Sequence, residues 1–529
     1  MSEKTKAHEM AEKQKEISIS EFFTKNRHLL GFDNPTRALL MAVKEAVDNS
    51  LDACDEATIL PELNIEIKKL SEERFIVIVE DNGPGILKAN LPNVFGKLLY
   101  GSKFHRYRQS RGQQGIGISA VVLYSQLTTG KPIKVISRIS EKRPAMYYEL
   151  HIDTAKNEPK ILKENEIEWK KAHGTKIEIE LEGRYLKGKQ SVDEYIKQVA
   201  IVNPHAQITY IDPDKEKINF SRATDKLPKL AEEIKPHPHG LELGTLMSML
   251  TITKARSVSG FFTGDFSRVG PTTAKEICDK AKVKADISPK TVTRDQAEAL
   301  LKAIKETKIS APSADSLSPI GAELLEKSLR KEFNAEYFVT TTRPAEVYRG
   351  FPFIIEAAIA FGGDLPKEEQ VKLLRFANRV PLLYQQGACS VTESFTDTNW
   401  KPYGLEQKGA NFPFGPAVVI VHISSVWVPF TSEAKEAVAH YPEIIKEIKL
   451  ALQECGRKLG IYIRKHVRAN EQRDKVDLFE KYIPELANSL YNLSGESKTK
   501  LEENLRKILK KNMKDILGEI EDGGEKDKS

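Results

Sequence analysis

The chain has 529 residues, 40% hydrophobic and 29% charged, which excludes a disordered chain and leaves room for three or four separately cored domains. No stretch approaches the ~18 consecutive apolar residues of a membrane span, and the charged opening MSEKTKAHEMAEKQKEIS argues against a signal peptide and secretion. The formal net charge of +6 leans only mildly towards polyanions, and four widely spaced cysteines (Cys54, Cys278, Cys389, Cys455) indicate neither a disulfide framework nor a structural zinc.

Residues 1–34 form a polar leader with one apolar patch, Phe22-Phe23. A long helix starts at Asn34-Pro35, where Asn can cap and Pro fits the first turn; Leu40, Val43, Val47 and Leu51 then recur on one helical face. Strand patterns follow at 64–67, 75–79, 133–138, 145–152 and 175–181, with helical segments at 94–100 and 119–127. The mixture predicts an α+β sandwich, helices on one face of a mostly antiparallel sheet. A composition shift at PHPHG, 236–240, opens a strand-free helical stretch, 241–308, and APSADSLSPIG, 311–321, reads as a linker. Over 322–470 the pattern predicts strand 353–361, helix 367–377, strand 417–424 and helices 432–440 and 442–459. That strand-helix-strand order favours a right-handed crossover. A last amphipathic helix spans 498–521, and the closing EDGGEKDKS reads as disordered.

Three segments carry chemistry. In KEAVDNSLDA, 44–53, Glu45 and Asn49 share a helical face and Asp52 lies nearly on the same line. A Glu there suits a base that orients water, and an Asn suits a ligand to a hydrated cation; a solvated amphipathic face would look the same. In DNGPGI, 81–86, Gly83 and Gly85 let the backbone turn against a flat ligand, while Asp81 can accept from an exocyclic amine. An ordinary turn has the same letters. The run Arg111, Gly112, Gln113, Gln114, Gly115, Ile116, Gly117, Ile118 opens into an apolar helix, so its N–H groups could cradle phosphates, with Ser102 and Lys103 adding a hydroxyl and a charge. Its spacing is GxxGxG, not GxGxxG, and no strand leads into it. Two other motifs are decoys. GRYLKGKQ, 183–190, matches GxxxxGK, but Gln190 stands where Ser or Thr must hold Mg²⁺. Asp212-Pro213-Asp214 sits between QITYI and KINF as a hairpin turn and not as a nuclease acid pair.

The E-x-x-x-N helix, the DxGxG turn, the GxxGxG loop and Gly174-Thr175, in this order, resemble the Bergerat ATP-binding fold of the GHKL superfamily (gyrase, MutL, histidine kinases) over residues 35–185. The resemblance implies ATP and Mg²⁺ as cofactors. It would make Glu45 the general base and Asn49 the magnesium ligand. Asp81 would bond the adenine amine, supported by Thr175, with Gly85 in the same turn. Ser102, Lys103 and the run Arg111–Ile118 would surround the phosphates, with Gly112, Gly115 and Gly117 as a lid.

Beyond the ATP fold, residues 241–308 resemble a helix-two-turns-helix module, and 236–310 hold 12 Lys/Arg against 8 Asp/Glu. Residues 322–470 resemble the gyrase and MutL transducer. Together with the wording EAVDNSLDA, DNGPGI, RGQQGIGISA and VPFTSEAKEA, this resembles the B subunits of archaeal-type DNA topoisomerase VI over 20–490. The implied organisation is a strap at 1–34, a Bergerat ATPase domain at 35–235, a helix-two-turns-helix domain at 236–310, a transducer at 311–470, and a helical extension with a disordered tail at 471–529. The implied activity is that of a type IIB topoisomerase ATPase subunit. ATP binding would dimerise two B subunits around a DNA duplex and drive strand passage through a double-strand break made by a separate A subunit, in an A2B2 heterotetramer. Lys435, following the strand AVVIVHISS, would be the catalytic lysine that meets the γ-phosphate. The implied setting is cytoplasmic, nucleoid-associated and archaeal, without a membrane. A MutL-like mismatch-repair ATPase and a chaperone of the same superfamily are the alternatives; the helical insert argues against the first.

Overall fold

The computed structural model describes residues 6–11, 17–101, 107–112, 115–432 and 434–522. The helix Pro35–Glu56 starts where capping chemistry places it: the Asn34 side chain accepts from the Arg37 N–H at 2.9 Å, and Pro35 occupies the first turn. Leu40, Val43, Val47 and Leu51 are all buried.

This helix packs with Leu91–Gly96, Gly117–Thr129 and Val192–Val202 against an eight-stranded sheet. Its strands are β1 (Glu62–Lys69), β2 (Arg74–Glu80), β3 (Ile133–Arg138), β4 (Ala145–Asp153), β5 (Glu158–Ile167), β6 (Gly174–Glu182), β7 (Gln207–Ile211) and β8 (Lys217–Phe220). The order is β5-β4-β3-β6-β2-β1-β7-β8, antiparallel throughout except for the parallel pair β1–β7. Alternating burial along β1, β3 and β4 gives the sheet one covered face, as an α+β sandwich requires. Strand β5 is absent from the sequence expectation because it is an exposed edge: its adjacent Ile161 and Leu162 break the alternation that marks a half-buried strand. The helix expected at 94–100 lies earlier, because Pro92 fits its first turn and Leu99 takes a left-handed φ of 59°.

The leader contributes the helix Ile19–Lys25, capped by Ser18. Phe23 packs on the core of the large sheet, whereas Phe22 stays 42% exposed. The buried Ser20 hydroxyl bonds Asn157 Oδ1 at 3.1 Å, and Asn157 also grips Leu98 through both its backbone N–H and its carbonyl.

Helices Leu243–Ile252, Val258–Asp265, Pro271–Ala281 and Arg294–Glu306 form a cluster around Leu246, Phe261, Phe262, Ile277 and Leu300, with no strand among the described residues. A second, six-stranded sheet follows: β9 (Tyr337–Thr342), β10 (Glu346–Tyr348), β11 (Phe351–Phe361), β12 (Lys372–Ala377), β13 (Val380–Pro381) and β14 (Ala417–Ser425). Its order is β10-β11-β14-β12-β13, with β9 beside β11; β12–β14 is parallel and β11–β14 antiparallel, so the sheet is mixed.

Four expectations are corrected in this region. The segment 367–377 is not a helix but a loop followed by β12, since pairing with the fully buried β14 overrides its helix-forming composition. The parallel pair spanned by a crossover is therefore β12–β14, through the helix Ser390–Asp397, while 353–361 and 417–424 run antiparallel. The described residues of 432–440 are also not helical. Their backbone bonds run across the loop, from Thr431 N to Ala437 O and from Ala439 N to Pro429 O, and Lys435 sits at φ 54°. The helix expected at 442–459 instead runs through Pro442–Ser494, uninterrupted at 470, because Gly456 and Gly460 are tolerated inside it.

The chain divides into two compact units, residues up to Trp400 with 405–455, and residues 401–404 with 456 onwards. In the second unit Gly456 meets the Tyr403 ring where a Cβ would lie 2.4 Å away, and Lys498–Asp522 forms the last helix. Beyond Asp522 the expected disordered tail lies outside the described residues.

Candidate active site

A cavity of about 550 Å³ opens between the helix Pro35–Glu56, the turn after β2, the start of the helix Gly117–Thr129, and the loop that carries Lys435. It gathers Glu45, Asn49, Asp81, Gly85, Gly112, Gly115, Ile116, Gly117, Ile118, Thr175 and Lys435. Ser102, Lys103, Gln113 and Gln114 lie outside the described residues.

At one end stands Asp81, 5% exposed. β2 and β6 are neighbours, so the ladder continues past Glu80 with Asp81 N donating to Thr175 O at 2.9 Å. The carboxylate accepts from Gly83 N at 2.8 Å and Thr175 N at 3.0 Å on one oxygen, and from Ser50 Oγ at 2.8 Å on the other. Burial pushes its pKa up, and these three donors offset part of that cost. Gly85 has φ +71°, and a Cβ there would lie 2.2 Å from the Arg138 carbonyl oxygen, so only glycine fits the turn. Met41, Val79, Ile86, Phe95 and Ile177 supply apolar walls suited to a flat ring.

At the other end Glu45 lies against Gly117, where a Cβ would be 1.7 Å from Oε2. The helix Gly117–Thr129 has no side-chain cap at Ile116, which leaves its first-turn N–H groups to the cavity wall, an arrangement that favours anions. Lys44 Nζ is 3.3 Å from Glu45 and 3.4 Å from Asp48, and the Tyr195 hydroxyl donates to Asp48 at 2.9 Å. Burial works against the Lys44 charge, yet the two carboxylates hold its pKa above the ordinary lysine value. Asn49, one turn on, is exposed along the cavity.

The Arg111 guanidinium is taken up by Asp52 at 2.9 Å, Asp55 at 2.8 Å and Asn203. Burial would raise the Asp55 pKa, but Arg111 and the His205 hydrogen bond hold it well below the carboxylate range. Asp52 also accepts from Gly112 N at 3.3 Å, so the helix Pro35–Glu56 positions the glycine run directly. Lys435, 7% exposed, donates from Nζ to the Arg111 carbonyl at 3.3 Å. Its neighbour Glu436 forms an ion pair with Arg37, near the start of that same helix.

Sequence reasoning missed the supporting shell: Ser50 behind Asp81, Ser137 beside Thr175 at 3.3 Å, and the Asp48–Tyr195 bond. Of these only Asp48 and Ser50 carried a signal, through their place in the motif helix. The decoys neutralise one another, since Lys187 of the GxxxxGK run lies 3.2 Å from Asp212 of the acidic turn. Among the described residues no cluster of three or more His, Cys, Asp or Glu is placed to hold a metal, and no helix is long and apolar enough to cross a membrane.

Residues 37–179 match the family described as histidine kinase-, DNA gyrase B- and HSP90-like ATPase, and residues 312–475 match the topoisomerase VI B subunit transducer. The B subunit of type 2 DNA topoisomerase 6 from Methanococcoides burtonii is 52% identical over 485 residues, covering 92% of this chain and 78% of that protein. Its counterpart in Methanosarcina barkeri is 50% identical over 490 residues, covering 92% and 79%. That of Archaeoglobus fulgidus is 47% identical over 501 residues, covering 94% and 83%. With the ATPase sheet, the mixed transducer sheet and the nucleotide-sized cavity, these likenesses place the chain in the topoisomerase VI B subunit family, the ATPase subunits of a type IIB DNA topoisomerase.

Proposed function

We propose that the cavity binds and hydrolyses ATP with the residues it gathers. Asp81, held by Ser50, Gly83 and Thr175, accepts from the adenine amine in the turn shaped by Gly85. Gly112, Gly115, Ile116, Gly117 and Ile118 offer backbone N–H groups to phosphates at a helix N-terminus. Glu45 takes the proton of the attacking water, with the Lys44 ammonium 3.3 Å from its carboxylate. Arg111 contributes through its main chain, because its guanidinium serves Asp52 and Asp55. The exposed Asn49 carboxamide is an oxygen ligand of the kind a hard cation prefers. Magnesium held there would neutralise phosphate charge.

The observation that carries this reading is Lys435. A residue of the loop after β14, more than 300 positions from the motif helix, reaches the same cavity as Glu45. There its ammonium can stabilise charge that develops during phosphoryl transfer. Loss of that phosphate removes the contact, which is how hydrolysis would move the transducer. We further propose that two such chains dimerise on ATP and pair with two A subunits, A2B2, which cut the DNA. The helical cluster would touch duplex phosphates, consistent with its 12 Lys/Arg against 8 Asp/Glu over 236–310. The parts would divide at about 34, 235, 310 and 470. Co-expression with an A subunit tests the reading: supercoiled DNA should relax only with ATP and Mg²⁺, and ATP-independent relaxation would sink it.

A further inference from the structure

Immediately before the glycine run the chain passes through Tyr107–Arg111, and distant parts of the molecule grip this short stem. The Tyr107 carbonyl accepts from Ile234 N at 3.0 Å, and its ring stacks on Phe351 with centroids 6.3 Å apart. Gln109 N donates to Ser316 O at 3.0 Å, while its side-chain amide both accepts from Ser318 N at 2.7 Å and donates to Ser318 O at 3.2 Å. The Ser110 carbonyl accepts from Asn378 Nδ2 at 3.0 Å, and the Arg111 carbonyl accepts from Lys435. Three consecutive residues are thus held by the linker at 316–318, by the β12–β13 turn, and by the loop after β14.

Asn378 is built for this task. With Arg379 it forms the two-residue turn between β12 and β13, at φ +48° and +63°, a conformation Asn tolerates better than most residues. The side chain is 4% exposed. Its Oδ1 accepts from Ser425 N at 2.9 Å, and its Nδ2 donates both to Ser425 O at 2.9 Å and to Ser110 O. Both amide protons are used, and a carboxylate oxygen in place of Nδ2 would face two carbonyls. Ser425 ends β14, ten residues before Lys435, so one strand end carries both grips.

We propose that Asn378 is a positioning residue for ATP-driven strand passage: through Ser110 it ties the Arg111–Gly112 backbone, at the edge of the nucleotide cavity, to the transducer sheet independently of Lys435. Gln109 reinforces the tie through the linker. Neither residue lines the cavity. The inference rests on the nucleotide reading of that cavity.

The test uses the full chain with its A subunit and three variants: Asn378→Asp, isosteric but without the donor; Asn378→Gly, which keeps the left-handed backbone; and Gln109→Ala. Affinity for a non-hydrolysable ATP analogue, kcat, KM and the number of supercoils relaxed per ATP consumed are measured. Analogue affinity and KM should stay near wild type. Relaxation per ATP should fall by a coupling factor of about 5- to 150-fold in Asn378→Asp, and to a smaller degree in Gln109→Ala. If turnover and relaxation fall in parallel, with an unchanged ratio, Asn378 is merely structural and the proposal is overturned. Should the Asn378 variants not fold, Gln109→Ala alone decides, since it leaves both sheets intact; a wild-type ratio there overturns the tie. Wild-type protein that binds no analogue overturns the nucleotide reading itself, and with it the proposal.

Discussion

The Lys435 ammonium donates to the backbone carbonyl of Arg111 at 3.3 Å, joining two residues 324 positions apart. The lysine is therefore seated at the cavity by the fold and needs no large search to meet a phosphate. Lys435→Ala is expected to lower kcat by about 10²-fold, the scale of one preorganised donor, while the analogue still binds. Steady-state ATPase and equilibrium titration check both halves; wild-type turnover would move the role to another residue.

Glu45→Ala should retain nucleotide and lose about 10²–10⁴-fold in turnover, because water activation counts only in the transition state. Gly117→Ala tests the same carboxylate from the opposite side. Its added Cβ would lie 1.7 Å from Glu45 Oε2 and must displace it. At the first position of its helix, Ala gains less over Gly than the ~1 kcal/mol of a helix interior. The thermal midpoint should hold or rise while turnover drops, and undiminished turnover would show that the carboxylate has no need of its observed place.

Asp81→Asn keeps an oxygen for the Gly83 and Thr175 donors but turns an acceptor into a donor where the base amine would arrive. Binding of ATP should weaken by roughly tenfold, in line with one hydrogen bond to a charged group, and its advantage over GTP should shrink. Competition titrations with the two nucleotides decide.

Acidification should loosen the junction around Arg111. His205 Nε2 donates to Asp55 at 2.8 Å, and burial, with Arg379 and Arg111 nearby, lowers the imidazole pKa below its ordinary 6.5. The unfolded chain thus binds the proton more readily than the folded one, so stability rises with pH across this window. The contribution is full above about pH 6.5 and erodes as pH falls towards the lowered folded value. Asp55 acts in the same direction only at lower pH, since its folded pKa is depressed below the carboxylate range. The thermal midpoint should fall between pH 7.5 and about 5.5, and less steeply in His205→Asn; parallel slopes would remove His205 from the account.

Truncating residues 1–24 should weaken the dimer formed with an ATP analogue in sedimentation experiments. Phe22 is exposed on the helix Ile19–Lys25 and is free to anchor on a second copy, while Ser20 links that helix through Asn157 to Leu98. Equal dimer stability would refute the strap.

The motif residues were legible because each carries a local constraint. Asn34-Pro35 starts a helix, Gly85 needs a left-handed turn, and Glu45 and Asn49 share a face. Lys435 was legible only through family resemblance; its surroundings read as helix, and the left-handed backbone at that residue follows from cross-loop bonding that no local pattern reports. Strand β12 was hidden for a similar reason, since KLLRFA becomes a strand only beside β14. The resemblance sets Arg111 within the phosphate run; its guanidinium instead meets carboxylates from the motif helix, folded back beneath it, which no local pattern reports.

The separation between Lys435 and Arg111 also sets a timetable for biosynthesis. The N-terminal sheet domain can complete its own core well before the loop after β14 leaves the ribosome. At 5–20 residues per second, the 324 intervening residues delay the lysine by roughly 16 to 65 seconds after Arg111 is made. Throughout that interval the nascent chain holds Glu45 and Asp81 but lacks the ammonium that the proposed mechanism places beside them. If Lys435 has the proposed role, chain order alone keeps half-made chains from idle hydrolysis.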